Sequence, residues 1–250
     1  GMEELSFLEW LYTKIAITGM SNADAKYVMI DEVQDYTTAQ LAVLARYFRR
    51  ANFLLLGDEN QAIKPGTASF DEIRRVFKEI HGEVSECNLM TSYRSTPAIT
   101  ELFAKLAVTA DGMQISSVQR ADTEPDFHEC ATAEEYEKEL RALASAAKAY
   151  NGTTAFVALD EESATQTVQL LGEDAPQLIG EGDTLPGSGA IVLALPLAKG
   201  LEFDHVVIVD ASAEAFPENE LSRRCLYTAI SRATSTVSIV SNGELSPLLK

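Results

Sequence analysis

The sequence predicts an α/β fold built on mainly parallel sheets, and two observations carry that prediction. Short apolar runs alternate along the chain with longer segments whose apolar residues recur every three or four positions. Strands that alternate with helices in this way form parallel sheets, because each crossover helix packs back onto the sheet. The chain has 250 residues and is 46% hydrophobic, which suffices for one large or two small domains with their own cores.

The elements follow from these periodicities in order. The apolar runs predict buried strands over 27–30, 53–56, 84–90, 154–159, 190–195, 205–209 and 236–240. The amphipathic segments predict helices over 5–17, from Thr37, over 69–80, from Pro97, over 133–150, 161–171 and 221–233. Two turn-rich stretches, 109–126 and 172–189, predict surface connections, the second around a short Leu178-Ile179 segment.

Charge and composition narrow the classes of partner and the compartment. The formal net charge is −18, and a chain this acidic is a poor stand-alone binder of phosphate backbones. No apolar run approaches the roughly 18 residues of a membrane span, and the first residues lack the basic start of a signal peptide. The cysteines Cys87, Cys130 and Cys225 are widely spaced, which favours buried reduced thiols in a cytoplasmic protein without a membrane partner.

Polar signatures stand where several of the predicted strands end. Asp31 and Glu32 follow the first strand, Asp58 and Gln61 follow the second, and Arg94 follows the third. Ligands of open α/β sheets bind outside the carboxyl ends of the strands. One carboxylate there can hold Mg²⁺, and its neighbour can accept a proton from an attacking water. Taken singly, each signature also fits an ordinary solvated turn or, for Arg94, an exposed surface arginine.

Together and in order, the signatures resemble motifs II to VI of the superfamily 1 helicases of the UvrD/Rep kind. The resemblance spans residues 27 to 240 and implies RecA-like domains of the P-loop NTPase fold. The residues that carry it are Ile30-Asp31-Glu32-x-Gln34-Asp35, Gly57-Asp58-x-x-Gln61, Ser92-Tyr93-Arg94-Ser95, Lys199-Gly200-Leu201-Glu202-Phe203-Asp204 and Tyr227-Thr228-Ala229-Ile230-Ser231-Arg232-Ala233. The segment 197–204 looks most like the HelD (helicase IV-like) branch, some members of which act on RNA polymerase.

The resemblance implies an ATP and Mg²⁺ site at the first two signatures. Asp31 would bind the Mg²⁺ ion, and Glu32 would activate the attacking water. Gln61 would contact the γ-phosphate and link hydrolysis to movement, with Asp58 supporting its loop.

It implies further nucleotide contacts in the second half of the chain. Tyr93 would stack on the base, and Arg94 and Arg232 would act as two arginine fingers. Gly200 and Glu202 would line the nucleotide cleft, with Glu202 near the ribose.

Three departures from the family pattern shape the expectations. The chain has no Gly-x-x-x-x-Gly-Lys-Ser/Thr phosphate loop, so we expect it to be the C-terminal part of a larger protein. We expect residues 1–88 to be the end of the first RecA-like domain and residues 89–250 the whole second one. The segment after Gln61 lacks the aromatic residues that stack on single-stranded DNA, and Ala194 and Pro196 replace the usual Thr and His of motif V.

The leading interpretation is therefore an ATPase motor that works on single-stranded DNA, or on a machine bound to nucleic acid, within a full-length helicase. The first alternative is a non-catalytic acidic module that docks on RNA polymerase or another protein. The second is an unrelated α/β nucleotide-binding regulator. The joint presence of Glu32, Gln61, Arg94 and Arg232 favours the motor.

Overall fold

The computed structural model describes residues 7–86, 91–108, 115–117 and 123–250. The chain divides into two compact units, unit 1 (Gly1–Cys87) and unit 2 (Asn88–Lys250). The fold is mixed α/β, as predicted, and the strands within the described ranges pair in parallel.

Unit 1 places two parallel strands against two helices. Its elements are α1 (Phe7–Thr18), β1 (Tyr27–Ile30), α2 (Thr38–Tyr47), β2 (Asn52–Leu55) and α3 (Phe70–His81). Capping boxes begin α2 at Thr37 and α3 at Ser69, which explains why both helices start where the periodicity predicts. Leu41 and Ala45 of α2 and Phe77 of α3 pack against the sheet face that carries Ile30.

The prediction that β1 and β2 are buried strands is wrong for one face of this sheet. Tyr27 is 80% exposed, Met29 65% and Leu54 51%. Side chains alternate across a strand, so these residues share the face opposite to Ile30. An apolar run predicts burial on both faces, whereas α2 and α3 cover only one of them.

Unit 2 is built on one six-stranded parallel sheet. The strand order is β5 (Asp126–Cys130), β10 (Ala233–Asn242), β9 (Phe203–Ile208), β6 (Thr153–Ala158), β8 (Gly189–Ala194) and β7 (Gln177–Ile179). A separate pair joins β3 (Thr91–Tyr93) to β4 (Ile115–Ser117). The helices of the unit are α4 (Pro97–Ala104), α5 (Ala133–Ala149), α6 (Glu161–Leu171), the single turn α7 (Leu195–Ala198) and α8 (Glu220–Ile230).

Both faces of the large sheet are covered, which explains its continuous apolar strands. Phe156, Val207 and Val240 share one core with α5 and α6. The alternate residues Val206 and Ile239 are also fully buried. The ring of Phe103 in α4 meets that of Tyr227 in α8 edge to face, with centroids 5.5 Å apart.

The third predicted strand, 84–90, is wrong over residues 84–86, which form no regular element. Residues 87–90 lie outside the described part of the chain, and a strand not predicted there covers Thr91–Tyr93. Glu86 is instead held by Arg74 of α3, with Oε1 and Nη2 2.8 Å apart. Two short strands, β4 and β5, were not predicted, because polar residues dominate both.

Cys130 and Cys225 are buried free thiols, as predicted, and burial raises the pKa of Cys225 to about 11. Cys87 lies outside the described residues. Among the described helices, none combines the length and apolar character that crossing a bilayer requires.

Candidate functional site

The signatures that follow β1 and β2 lie side by side in unit 1. The Leu56 amide donates to the Ile30 carbonyl, and the Val33 amide donates to the Leu56 carbonyl, both at 2.9 Å. These bonds continue the pairing of the two strands beyond their ends. As a result, Asp31 and Glu32 lie next to the segment that begins at Gly57.

The backbone is strained at Glu32, the residue predicted to act as the general base. Glu32 adopts the left-handed conformation, with φ 50° and ψ 44°, and is the only non-glycine residue with positive φ among the described residues. This conformation costs a non-glycine residue roughly 1–2 kcal/mol. Such strain persists where neighbouring contacts enforce it and is common at functional sites. Here the Glu32 amide donates to Asp31 Oδ1 at 2.9 Å, which ties the two carboxylate residues together.

A continuous line of hydrogen bonds joins Glu32 to Gln61. Gln34 is fully buried, and its Nε2 donates to Glu32 Oε2 while its Oε1 accepts from the Asp58 amide at 3.2 Å. Asp58 Oδ2 in turn accepts from Gln61 Nε2 at 3.1 Å, and Asp58 Oδ1 accepts from the Asn60 amide at 2.9 Å. Four of the residues predicted for the nucleotide site, Asp31, Glu32, Asp58 and Gln61, therefore belong to one array.

The signatures of unit 2 meet at the segment Leu201-Glu202. Arg94 Nη1 lies 3.7 Å from Glu202 Oε2, and Arg232 Nη1 donates to the Leu201 carbonyl at 3.1 Å. The Phe203 amide donates to the Arg232 carbonyl at 2.9 Å, which fixes the end of the segment to the turn between α8 and β10. Gly200, with φ 79°, supplies the positive φ that this turn requires.

The two arginines differ in their surroundings. The Arg94 side chain is 78% exposed, whereas Arg232 is only 7% exposed. The Arg232 guanidinium also donates to the Thr228 carbonyl and to Ser231 Oγ, each at 3.1 Å. The backbone beside Arg94 is anchored, because Ser95 Oγ donates to the Ala233 carbonyl and the Thr96 amide to the Thr234 carbonyl.

Tyr93 is placed only by its backbone, in strand β3; its side chain lies outside the described part of the structure. Asp204, the last residue of the motif V segment, has a structural contact. Its Oδ2 accepts from the Thr153 amide at 2.8 Å and so joins the starts of β9 and β6.

Two residues of the array received no role from sequence reasoning. Gln34 stands inside the motif II signature, and Gly57 opens the motif III signature. A Cβ on Gly57 would lie 2.3 Å from Gln34 Oε1 and 2.9 Å from Val33 Cγ1. The signal for both was their position directly beside the strand-end carboxylates, but only the structure shows that they touch.

The carboxylates of unit 1 suit Mg²⁺ in the manner of nucleotide sites. Mg²⁺ there takes one or two carboxylates and completes its shell with waters and phosphate oxygens. Asp31 is exposed at the end of β1 and supplies a hard oxygen ligand of this kind. Within the ranges that the structure describes, no three His, Cys, Asp or Glu side chains gather as a metal-binding group.

Two family models match the chain in the order that these signatures predict. The UvrD/REP helicase N-terminal domain matches residues 5–64, and the UvrD-like helicase C-terminal domain matches residues 191–240. Both matches support a UvrD/Rep-like superfamily 1 helicase. The first model contains the array of unit 1, and the second contains the Gly200-Leu201-Glu202 segment and the whole of α8.

One solved helicase domain agrees with this UvrD-like assignment, and two further solved structures share the fold. The C-terminal domain of a "possible DNA helicase" from Lactobacillus plantarun WCFS1 is 29% identical, with a TM-score of 0.52 over 63% of this chain and 91% of that one. S. cerevisiae Dbp5 bound to RNA and ADP BeF3 is 14% identical, with a TM-score of 0.55 over 94% of this chain and 57% of that one.

The helicase of PRRSV is 12% identical, with a TM-score of 0.50 over 88% of this chain and 36% of that one. These last two likenesses show the fold alone, and the UvrD-like chain spans about half or less of either protein's length. No curated protein matches the chain.

Proposed function

We propose that this UvrD-like chain is part of an ATP-dependent superfamily 1 helicase. In the full-length protein, ATP hydrolysis would drive movement on single-stranded DNA or the remodelling of a complex bound to nucleic acid. The observation that carries the proposal is the hydrogen-bonded array from Glu32 through Gln34 and Asp58 to Gln61. The likeness to a possible DNA helicase supports DNA as the nucleic acid.

The proposed mechanism assigns one task to each strand-end residue. Asp31 would hold Mg²⁺, which would neutralise part of the charge of the phosphate oxygens. Glu32 accepts the proton of the water that attacks the γ-phosphate. Gln61, held by Asp58, orients that water and senses the phosphate. These roles explain why the carboxylates of Asp31 and Glu32 are exposed at a strand end, while the side-chain amide of Gln34 beside them is buried.

The residues of unit 2 supply positive charge and shape. Arg94 and Arg232 stabilise the charge that develops on the transferred phosphoryl group, as arginine fingers do. Gly200 and Glu202 contact the nucleotide, and Tyr93 stacks on its base. Arg94 and Arg232 both contact the segment Leu201-Glu202, which supports their joint role. Assignment to the HelD branch, and RNA polymerase as a partner, remain predictions that rest on the segment 197–204.

The decisive experiment measures phosphate release and ATP binding by the full-length helicase. We expect Glu32→Gln to bind ATP as the unaltered protein does but to turn it over about 10²-fold more slowly, the scale of general-base loss. Glu134→Gln, an exposed carboxylate of α5, is the matched control and should behave as the unaltered protein does. Unchanged turnover in Glu32→Gln would contradict the assigned base. The 250-residue chain alone should release no phosphate, since it lacks a phosphate loop.

A further inference from the structure

The side chain of Gln34 is the one fully buried polar group in the described part of unit 1. A buried amide is costly unless its donor and acceptor are both satisfied. Gln34 meets this requirement with two partners from different strand ends. Its Nε2 donates to the Glu32 carboxylate, and its Oε1 accepts from the Asp58 amide.

These partners fix which way the amide group faces. A carboxylate can only accept, and a backbone N–H can only donate. The reversed amide would set two oxygens against each other at Glu32 and two donors against each other at Asp58. Of the side chains of similar size, glutamate lacks the donor and leucine lacks both groups. The site therefore requires glutamine.

The lack of a side chain at Gly57 makes room for the Gln34 amide. The position where its Cβ would stand is 2.3 Å from Gln34 Oε1, closer than any real Cβ contact. Gly57 has no positive φ, so the absence of a side chain here reflects this close approach rather than the backbone conformation. Glycine is the residue that permits such an approach.

We infer that Gln34 is the positioning residue for the base: it orients the Glu32 carboxylate and couples it to the loop that carries Gln61. This inference rests on the proposed function. Gln34 does not touch the reacting atoms; it acts through the Glu32 carboxylate, to which its Nε2 donates, and through Asp58, which binds Gln61. A change at Gln34 should therefore impair turnover rather than nucleotide binding.

The test compares Gln34→Leu and Gln34→Glu in the full-length helicase, with Gln166→Leu on the exposed side of α6 as the control. The loss of one charge-assisted hydrogen bond in a reacting geometry predicts a fall in kcat of about 10- to 100-fold. The KM for ATP should stay within about twofold. Gln34→Glu keeps the acceptor for the Asp58 amide but loses the donor, so its kcat should fall as far.

A double-mutant cycle with Glu32→Gln separates positioning from a merely structural role. If Gln34 acts through Glu32, then Gln34→Leu should lower kcat by less than about twofold in the Glu32→Gln background. A multiplicative loss in the double variant would overturn the inference, and so would unaltered kcat in Gln34→Glu. If Gln34→Leu fails to fold, Gln34→Glu decides alone.

The outcomes also separate this inference from the proposed function. Unaltered turnover in Glu32→Gln would contradict the proposed function. A large loss in Glu32→Gln beside normal turnover in both Gln34 variants would leave the function intact and refute only the role of Gln34. Gly57→Ala is an independent probe, since its new methyl group must displace Gln34 and should reproduce the fall in kcat. Gly187→Ala, which meets open space, should not.

Discussion

Replacing Arg94 and Arg232 in turn should give the same loss of turnover but very different losses of stability. As arginine fingers, each should cost about 10³-fold in turnover by the full-length helicase when changed to alanine. Their structural contributions differ, because Arg94 is largely solvated and Arg232 is buried. The comparison therefore tests whether catalytic and structural roles are divided between two residues of the same type.

The magnitudes follow from the contacts. The Arg94–Glu202 pair is exposed, with 3.7 Å between nitrogen and oxygen, and exposed pairs contribute about 0–1 kcal/mol. Arg232 donates to two backbone carbonyls and one hydroxyl, and its removal leaves a buried acceptor at Thr228 and a partly buried one at Leu201. We expect Arg232→Ala to cost about 2–4 kcal/mol. For a unit of this size, that corresponds to a fall in Tm of roughly 5 to 15 °C.

Two spectroscopic signals should separate the units. Trp10 is the single tryptophan of the chain and lies in α1, so its fluorescence reports the unfolding of unit 1. Far-UV circular dichroism reports the helices of both units, and unit 2 holds the larger share of the described helical residues. Arg232→Ala should shift the dichroism transition and leave the Trp10 transition in place, while Arg94→Ala should shift neither. Equal Tm values for the two variants would refute the assignment of different roles.

Two further predictions concern nucleic acid and pH. The chain should bind single-stranded DNA weakly, because its net charge is −18 and the segment after Gln61 offers the buried Ala62 and Ile63 instead of an aromatic platform. Fluorescence anisotropy at about 0.1 M salt should give a Kd that is micromolar or weaker, and a sub-micromolar value would contradict this reasoning. Burial lowers the pKa of His205, whose Nε2 lies 3.0 Å from Ser238 Oγ. The neutral His205 side chain therefore contributes its full share of stability above the pKa that histidine has in the unfolded chain. That contribution declines as pH falls through about 6.5. Between pH 7.5 and pH 5.5, the urea midpoint of unfolding should fall further in the unaltered chain than in His205→Asn. Equal falls in the two proteins would show that His205 is not the group responsible.

Local pattern predicted the order and type of most elements. Helix starts at Thr37 and near residue 69 were predictable because capping residues and apolar periodicity act within one or two turns. The failures fall where local pattern is weak. Strand β5 carries the polar sequence Asp126–Cys130, and it is a strand because β10 pairs with it along its whole length. A short segment of sequence cannot indicate pairing with a strand that lies more than a hundred residues away.

The same division applies to the candidate site. The sequence by itself predicted the polar residues that follow β1 and β2, because an apolar run stops where polar groups meet water, and the parallel fold brings such ends to one edge. Tertiary structure alone decided that Gln34 joins Glu32 to Asp58, that Arg94 is exposed while Arg232 is buried, and that one face of β1 and β2 is open. Burial and hydrogen-bond partners depend on side chains brought together from distant positions. Composition and spacing therefore identified the kinds of residue at the site, while their contacts followed only from the packing of the folded chain.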